Sequence, residues 1–211
     1  MLLNIIALPN DKPLIKEDTK QKKFPSKVWL IIIGMFLVNV AFYAVPANIA
    51  LFLREQNIGN SESAGIVISA FMISGFIAGI TLHLFQRLFS KYTVASGIGI
   101  MALGYTILAI SNNLLLVIIG ASLVGFSFGV LFPVFLILIN TTCSSNSIIL
   151  ALSFSSCAQF LGQFLSPYLL QLLKIILSLD SIRNDFIILA FTLSVTFILA
   201  FIYKRSNRSV L

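Results

Sequence analysis

Residues 28–53 read VWLIIIGMFLVNVAFYAVPANIALFL, a stretch that contains no charged side chain. A helix of about 20 apolar residues, rising 1.5 Å per residue, crosses the roughly 30 Å hydrocarbon core of a bilayer. This stretch therefore predicts a membrane-spanning helix. Five further stretches, each of 19 to 27 residues, are also predominantly apolar, namely 62–85, 92–110, 114–139, 147–173 and 184–203. The breaks between them are short and rich in Asn, Ser, Gly or charge, so the sequence predicts an all-α integral membrane protein of six transmembrane helices.

The composition excludes a soluble domain. Hydrophobic residues make up 58% of the chain and charged residues 10%, whereas charged residues are about 25% of an ordinary soluble domain. The net charge of +7 does not indicate nucleic acid as a partner, because the basic residues lie between the apolar spans and at the chain ends. The expected partner is the lipid bilayer.

The distribution of Lys and Arg predicts the orientation, because basic residues accumulate in cytoplasmic segments. With the N-terminus inside, eleven of the 14 basic residues fall on the cytoplasmic side. The other three are Arg54, Lys174 and Arg183. The sequence therefore predicts that both termini are cytoplasmic. The fourth loop, NTTCSSN, is uncharged and gives no information on the orientation.

Two prolines suggest an internal repeat. Pro46 in the first span and Pro133 in the fourth are 87 positions apart (133 minus 46), and the same shift aligns Gly75 with Gly162. Because three spans separate the copies, the second would enter the membrane from the opposite side. The prediction is a 3+3 inverted repeat, which is typical of secondary transporters, with both prolines as helix kinks. The alternative is coincidence, since Pro and Gly are frequent in membrane helices.

The chain offers no candidate catalytic residue, metal ligand or cofactor motif. No Asp, Glu, Lys or Arg lies deep in a span, and no HExxH or GxSxG motif is present. Cys143, Cys157 and the lone His83 have no metal-binding spacing. We therefore expect neither an enzyme nor a resident cofactor.

Uncharged polar residues inside the spans are the first candidates for substrate binding. Asn39 and Tyr43 are four positions apart and share a helix face in the first span, and Gln159 and Gln163 do so in the fifth. A Gln amide in hydrocarbon is costly without a partner. These side chains line a water-filled cavity, or they bond a neighbouring helix; the sequence leaves both interpretations open.

Aromatic residues near Pro133 are the second candidates. Phe128 and Phe132 lie beside this proline and are the phenylalanines that we expect to contact a lipophilic ligand. Two GxxxG pairs, at 75–79 and 125–129, permit close approach of helix backbones, and we interpret them as packing positions.

Three stretches carry a resemblance to a known family. They are FSFGVLFPVFLILI at 126–139, CAQFLGQFLSPYL at 157–169 and QRLFSKY at 86–92. Together they resemble the C-terminal six-helix half of a major facilitator superfamily (MFS) transporter, most closely the bacterial drug:proton antiporter branch. The resemblance covers nearly the whole chain.

The third stretch stands at the place of the cytoplasmic loop motif of that family. Arg87 and Lys91 match its basic positions, but Gln86 replaces its Asp, while Leu82 and Phe89 replace its glycines. The resemblance therefore supports a role in topology more than a working gate.

The resemblance implies alternating-access transport, in the bacterial plasma membrane, of a small lipophilic or uncharged solute, with drug efflux as one form. It implies a complementary six-helix half or a second copy as partner. Residues 1–27 would be a helix stub and cytoplasmic linker, 28–203 the transmembrane domain and 204–211 a cytoplasmic tail. The alternatives are a non-transporting six-helix membrane protein and an inactive fragment of a 12-helix carrier.

Overall fold

A computed structural model describes residues 26–144 and 147–206, with side chains as far as residue 202. Most of the predicted segment 1–27 and of the tail 204–211 lies outside these residues. The described elements, numbered here in chain order, are α1 Ser26–Glu55, α2 Ser61–Ile80, α3 Leu82–Phe89, a 3₁₀ turn Ser90–Tyr92, α4 Thr93–Ile110, α5 Leu114–Thr142, α6 Ile148–Leu177 and α7 Ile182–Ser206. Six helices, counting α3 and α4 together as one, are long and apolar enough to cross a membrane. The predictions of an all-helical fold and of six helices of this kind are confirmed.

The polar breaks in the sequence supply the helix caps. Asn60 accepts a hydrogen bond from the Ser63 backbone N–H at 3.0 Å, before α2. Asn113 accepts one from the Leu116 N–H at 2.9 Å, before α5. An Asn side chain at this position satisfies one of the backbone donors that the first helical turn leaves unpaired.

The predicted span 62–85 is wrong at its C-terminal end. The helix stops at Ile80, the chain turns at Thr81, and Phe85 belongs to the separate short helix α3. The Thr81 hydroxyl donates to the Ile77 carbonyl at 2.8 Å, a local side-chain bond that tends to bend a helix. The polar residues of α3 follow after this turn.

Four helix pairs form most of the bundle: α2 with α5, α4 with α5, α1 with α6, and α4 with α7. Small residues allow the closest approach of α4 and α5, where a Cβ on Gly104 would lie 2.8 Å from the Gly120 carbonyl oxygen. Buried hydroxyls link neighbouring helices. Tyr105 donates to the Ala41 carbonyl of α1, and Ser127 donates to the Gly97 carbonyl of α4 at 2.6 Å.

Candidate functional site

A groove of about 380 Å³ opens between α1, α2 and α5, and we call it the aromatic groove. Its lining residues are Phe42 from α1, Phe71, Met72, Gly75, Phe76 and Gly79 from α2, and Gly125, Phe128, Gly129, Phe132 and Pro133 from α5. None of them is charged. Both predicted ligand-contact phenylalanines and the neighbouring proline therefore lie in one groove.

Stacked rings form one wall of the aromatic groove. The ring centroids of Phe42 and Phe128 are 3.7 Å apart with planes inclined by 20°, and those of Phe42 and Phe71 are 5.0 Å apart. Phe132 continues the row, 5.7 Å from Phe128. Such a wall presents an apolar aromatic surface that suits a lipophilic or aromatic ligand.

Glycines bring the backbones of α2 and α5 together beneath the rings. A Cβ on Gly125 would overlap the Phe71 carbonyl oxygen, and one on Gly129 would overlap the Gly75 carbonyl oxygen. Gly79 differs, because a Cβ there would meet no atom within 4 Å although the residue lines the groove. Of the four glycines that line the groove, Gly75, Gly125 and Gly129 are thus packing positions, and Gly79 borders open space.

Both predicted kink residues lie inside helices that continue past them, Pro46 in α1 and Pro133 in α5. Proline has no N–H, so neither can donate to the carbonyl four residues earlier. Those carbonyls belong to Phe42 and Gly129, which both line the aromatic groove. The two prolines therefore weaken the helical ladder at the groove.

Two of the predicted polar candidates bond to each other. Gln163 Nε2 of α6 donates to Asn39 Oδ1 of α1 at 3.1 Å, and Asn39 Nδ2 donates to the Met35 carbonyl at 2.8 Å. Asn39 is 1% exposed. Of the two interpretations, the structure thus gives Gln163 a bond to a neighbouring helix. Neither residue lines the aromatic groove.

The remaining polar candidates lie near this pair without joining it. Gln159 is half-buried on α6, and Tyr43 is 38% exposed on α1. Around them α6 packs closely on α1: Ser166 donates to the Val40 carbonyl at 2.7 Å, and a Cβ on Gly162 would lie 2.6 Å from the Phe36 carbonyl oxygen. The predicted substrate-binding residues therefore divide into two aromatic residues in the groove and four polar candidates on α1 and α6, of which Asn39 and Gln163 bond each other.

The loop-motif residues lie in helical structure. Gln86 and Arg87 are on α3, and Lys91 is in the 3₁₀ turn that follows. Gln86 is half-buried, whereas Arg87 and Lys91 are exposed. A gating role stays a prediction.

A polar cluster at the opposite end of the bundle was missed by sequence reasoning. Arg183 donates to the carbonyls of Ala109 and Ser111, each at 2.9 Å, and to Gln56 Oε1 at 2.7 Å. Its guanidinium also lies 5.7 Å from the centroid of the Phe52 ring. One side chain thus links α7, the α4–α5 loop and the end of α1.

Glu55 and the ion pair of Lys174 with Asp185 make further contacts at the same end of the bundle. Glu55 accepts from the Ile182 N–H at 3.1 Å and from the Ser181 hydroxyl. Lys174 Nζ lies 3.3 Å from Oδ2 of Asp185, which is 1% exposed. The sequence does show polar or charged residues in each loop at this end. We interpreted Lys174 and Arg183 only as indicators of topology, and so their hydrogen-bond and ion-pair partners were not predicted.

Comparison with protein-family models and with curated proteins gives no match for the chain. Among the described residues, no group of three or more His, Cys, Asp or Glu side chains could hold a metal ion. The aromatic groove is the candidate functional site, and its lining is apolar and uncharged.

Proposed function

We propose that the chain is a six-helix MFS-type half of a secondary transporter, which binds a lipophilic or uncharged solute in the aromatic groove. The observation that carries this proposal is the groove itself. It is uncharged, walled by stacked rings, and about 380 Å³ in volume, within the roughly 300–1,000 Å³ of ordinary small-molecule sites. The chain would lie in the bacterial plasma membrane with both termini cytoplasmic and would act with a complementary half or a second copy.

Helix contacts support the inverted repeat that such a half requires. Gly75 packs against the Gly125 carbonyl, with a Cβ-to-oxygen distance of 3.1 Å, and Gly162 packs against residues 36–40 of α1. The shift of 87 positions that aligns Gly75 with Gly162 also places position 125 on position 38. Gly75 of α2 thus packs on α5 at the position that corresponds, under this shift, to the place where Gly162 of α6 packs on α1.

The rings support a lipophilic solute. A charged ligand would need an opposite charge or a set of hydrogen-bond donors to replace its hydration, and the groove lining offers neither. Any charge recognition would have to come from the complementary half.

The second candidate function is a non-transporting six-helix membrane protein. It is favoured by the hydrogen bond between Gln163 and Asn39. Two polar side chains that bond each other contribute to helix packing and offer no polar path to a solute. This candidate predicts that filling the aromatic groove changes no binding property.

A groove-filling substitution tests the proposal. Gly79→Leu places a side chain in open space within the groove, whereas Gly65→Leu does so at another α2 position with nothing within 4 Å and outside the groove. Both replace a helical glycine, so each is expected to retain or raise helix stability. The full chain in lipid nanodiscs is titrated with the neutral dye Nile red.

We expect Gly79→Leu to weaken dye binding at least tenfold and Gly65→Leu to leave it unchanged. Equal binding by the two variants would refute the groove as the binding site. Transport is then measured as dye movement across proteoliposomes with and without the protein; binding without movement would retain the site and reject autonomous transport by the chain.

A further inference from the structure

A second groove, of about 330 Å³, runs along α4 on a different part of the bundle surface. Its lining includes Phe89, Ser96, Gly99, Leu103, Thr106 and Phe197, and it shares no residue with the aromatic groove. From Ser96 to Thr106 the helix rises about 15 Å. That length is half of the roughly 30 Å hydrocarbon core and thus equals the thickness of one leaflet. We call it the leaflet groove.

The leaflet groove presents an apolar surface in spite of its hydroxyls. Thr106 donates to the Ala102 carbonyl at 2.8 Å, and Ser194, across the groove on α7, donates to the Ala190 carbonyl at 2.7 Å. With these two hydroxyls turned to their own helices, apolar side chains and the Phe89 and Phe197 rings form most of the surface left for a ligand, and Ser96 adds one further hydroxyl. An extended hydrocarbon chain fits this chemistry.

Two exposed cations flank Phe89, at one end of the leaflet groove. Arg87 and Lys91, on either side of Phe89 in the chain, are exposed. Stacking of Tyr92 on Phe201, with centroids 5.2 Å apart, brings the end of α7 to the same place. The acidic residues that the structure describes all lie at the opposite end of the bundle: Glu55, Glu62, Asp180 and Asp185. Within the described part of the chain, this end therefore has cations and no acidic residue to neutralise them.

Helix α3 has the amphipathic form of a segment that lies in a membrane interface. Phe85 is buried against the bundle, Leu84 is 53% exposed and Leu88 is 76% exposed. His83 and Arg87 lie on the other side of the helix. A short helix with apolar residues on one side and a cation on the other lies at the level of the lipid headgroups.

We propose that the leaflet groove binds one acyl chain of an anionic phospholipid whose phosphate is held by Arg87 and Lys91. The groove supplies the apolar contact over one leaflet, and the two cations supply the charge at the depth of the headgroup. This proposal needs the bundle to lie in a bilayer, but it is independent of solute transport.

Counting bound lipids by native mass spectrometry tests the proposal on the full chain in detergent. The chain is titrated with dioleoyl phosphatidylglycerol or dioleoyl phosphatidylcholine, which share acyl chains and differ in net charge. Wild-type protein is expected to retain one phosphatidylglycerol in preference to phosphatidylcholine. Equal retention of the two lipids by wild-type protein would overturn the proposal. Inorganic phosphate in excess is expected not to displace the lipid, and full displacement would show that the headgroup charge alone binds.

Charge variants separate a site from general attraction to a basic surface. Arg87→Gln with Lys91→Gln is expected to lower phosphatidylglycerol affinity about thirtyfold, since each cation near an anionic surface contributes roughly fivefold. Lys27→Gln removes an exposed cation at the start of α1, away from the groove lining, and is expected to change little. An effect of Lys27→Gln equal to that of the double variant would contradict a local site.

A groove-filling variant tests the acyl contact without altering charge. Thr106→Trp fills the deep end of the leaflet groove, and Thr192→Trp is its control. Thr192 is also exposed and also bonds its own helix, at 2.9 Å to the Ile188 carbonyl, but it does not line the groove. We expect Thr106→Trp to lower retention of both lipids and Thr192→Trp to lower neither. Unchanged retention in Thr106→Trp would overturn the proposal even if the charge variant failed to fold.

Discussion

Alanine at Gly125 and alanine at Gly79 should change stability in opposite directions, although both glycines belong to GxxxG pairs at the aromatic groove. At Gly125 an added Cβ would overlap the Phe71 carbonyl oxygen and lie 2.7 Å from Ser74 Oγ. To remove this overlap, α2 and α5 must separate by about an ångström. A gap of that size loses a quarter to a half of the dispersion energy of the contacts between the two helices. Overpacking ordinarily costs about 1–3 kcal/mol, and we expect Gly125→Ala near the upper limit because backbone atoms cannot rotate away.

Gly79 has open space where the Cβ would be placed. There the substitution removes the conformational freedom of glycine without a clash, so Gly79→Ala should be neutral or stabilising by up to about 1 kcal/mol. Equilibrium unfolding of the purified chain by SDS in mixed micelles, followed by circular dichroism, measures both variants. The reasoning is refuted if Gly125→Ala lies within about 0.5 kcal/mol of wild type, or if Gly79→Ala is the less stable of the two.

Three further predictions concern the polar contacts and the orientation. A double-mutant cycle of Asn39→Ala and Gln163→Ala should give a coupling of about 0.6 kcal/mol in the same unfolding assay; zero coupling would show that the bond between them contributes nothing. Arg183→Met should destabilise the chain by about 2 kcal/mol, since it removes hydrogen bonds to four acceptors from a half-buried cation, and a change near zero would contradict a linking role. In a cysteine-free background, Lys91→Cys should react with an impermeant thiol reagent only from the cytoplasm and Glu62→Cys only from outside; the reverse result would invert the predicted topology.

The helices could be predicted from sequence because their signals are local. Apolar runs between polar breaks gave six helices of spanning length, and the Asn residues in two of those breaks cap α2 and α5. We expect Phe128 and Phe132 to contact a ligand because they adjoin Pro133. All three residues line one groove, and the ligand contact stays a prediction. The turn at Thr81 was missed because the hydropathy of 62–85 continues through it, and a single Thr is an ordinary residue of a membrane helix.

Long-range partners have no local signal. Asn39 and Gln163 are 124 positions apart, so the sequence marked each as a polar residue that needs a partner but could not say that each is the other's partner. The same reason applies to Arg183. Its acceptors at Ala109 and Ser111 are backbone carbonyls, and every residue has a carbonyl, so residue type cannot identify them.

The distribution of hydrogen bonds indicates which helix directional contacts hold least. Side-chain hydrogen bonds join α1 to α6, α1 to α4, and α4 to α5. Among the residues that the structure describes, the side chains of α2 bond only within their own helix or its cap, as Ser69 does to Gly65 and Ser74 to Phe71. Backbone packing at the glycines, without directional bonds, therefore holds α2 on α5. Sliding α2 along α5 breaks no side-chain hydrogen bond between described residues, whereas sliding α1 along α6 breaks those of Gln163 and Ser166. We therefore predict that α2 shifts along α5 more easily than α1 shifts along α6.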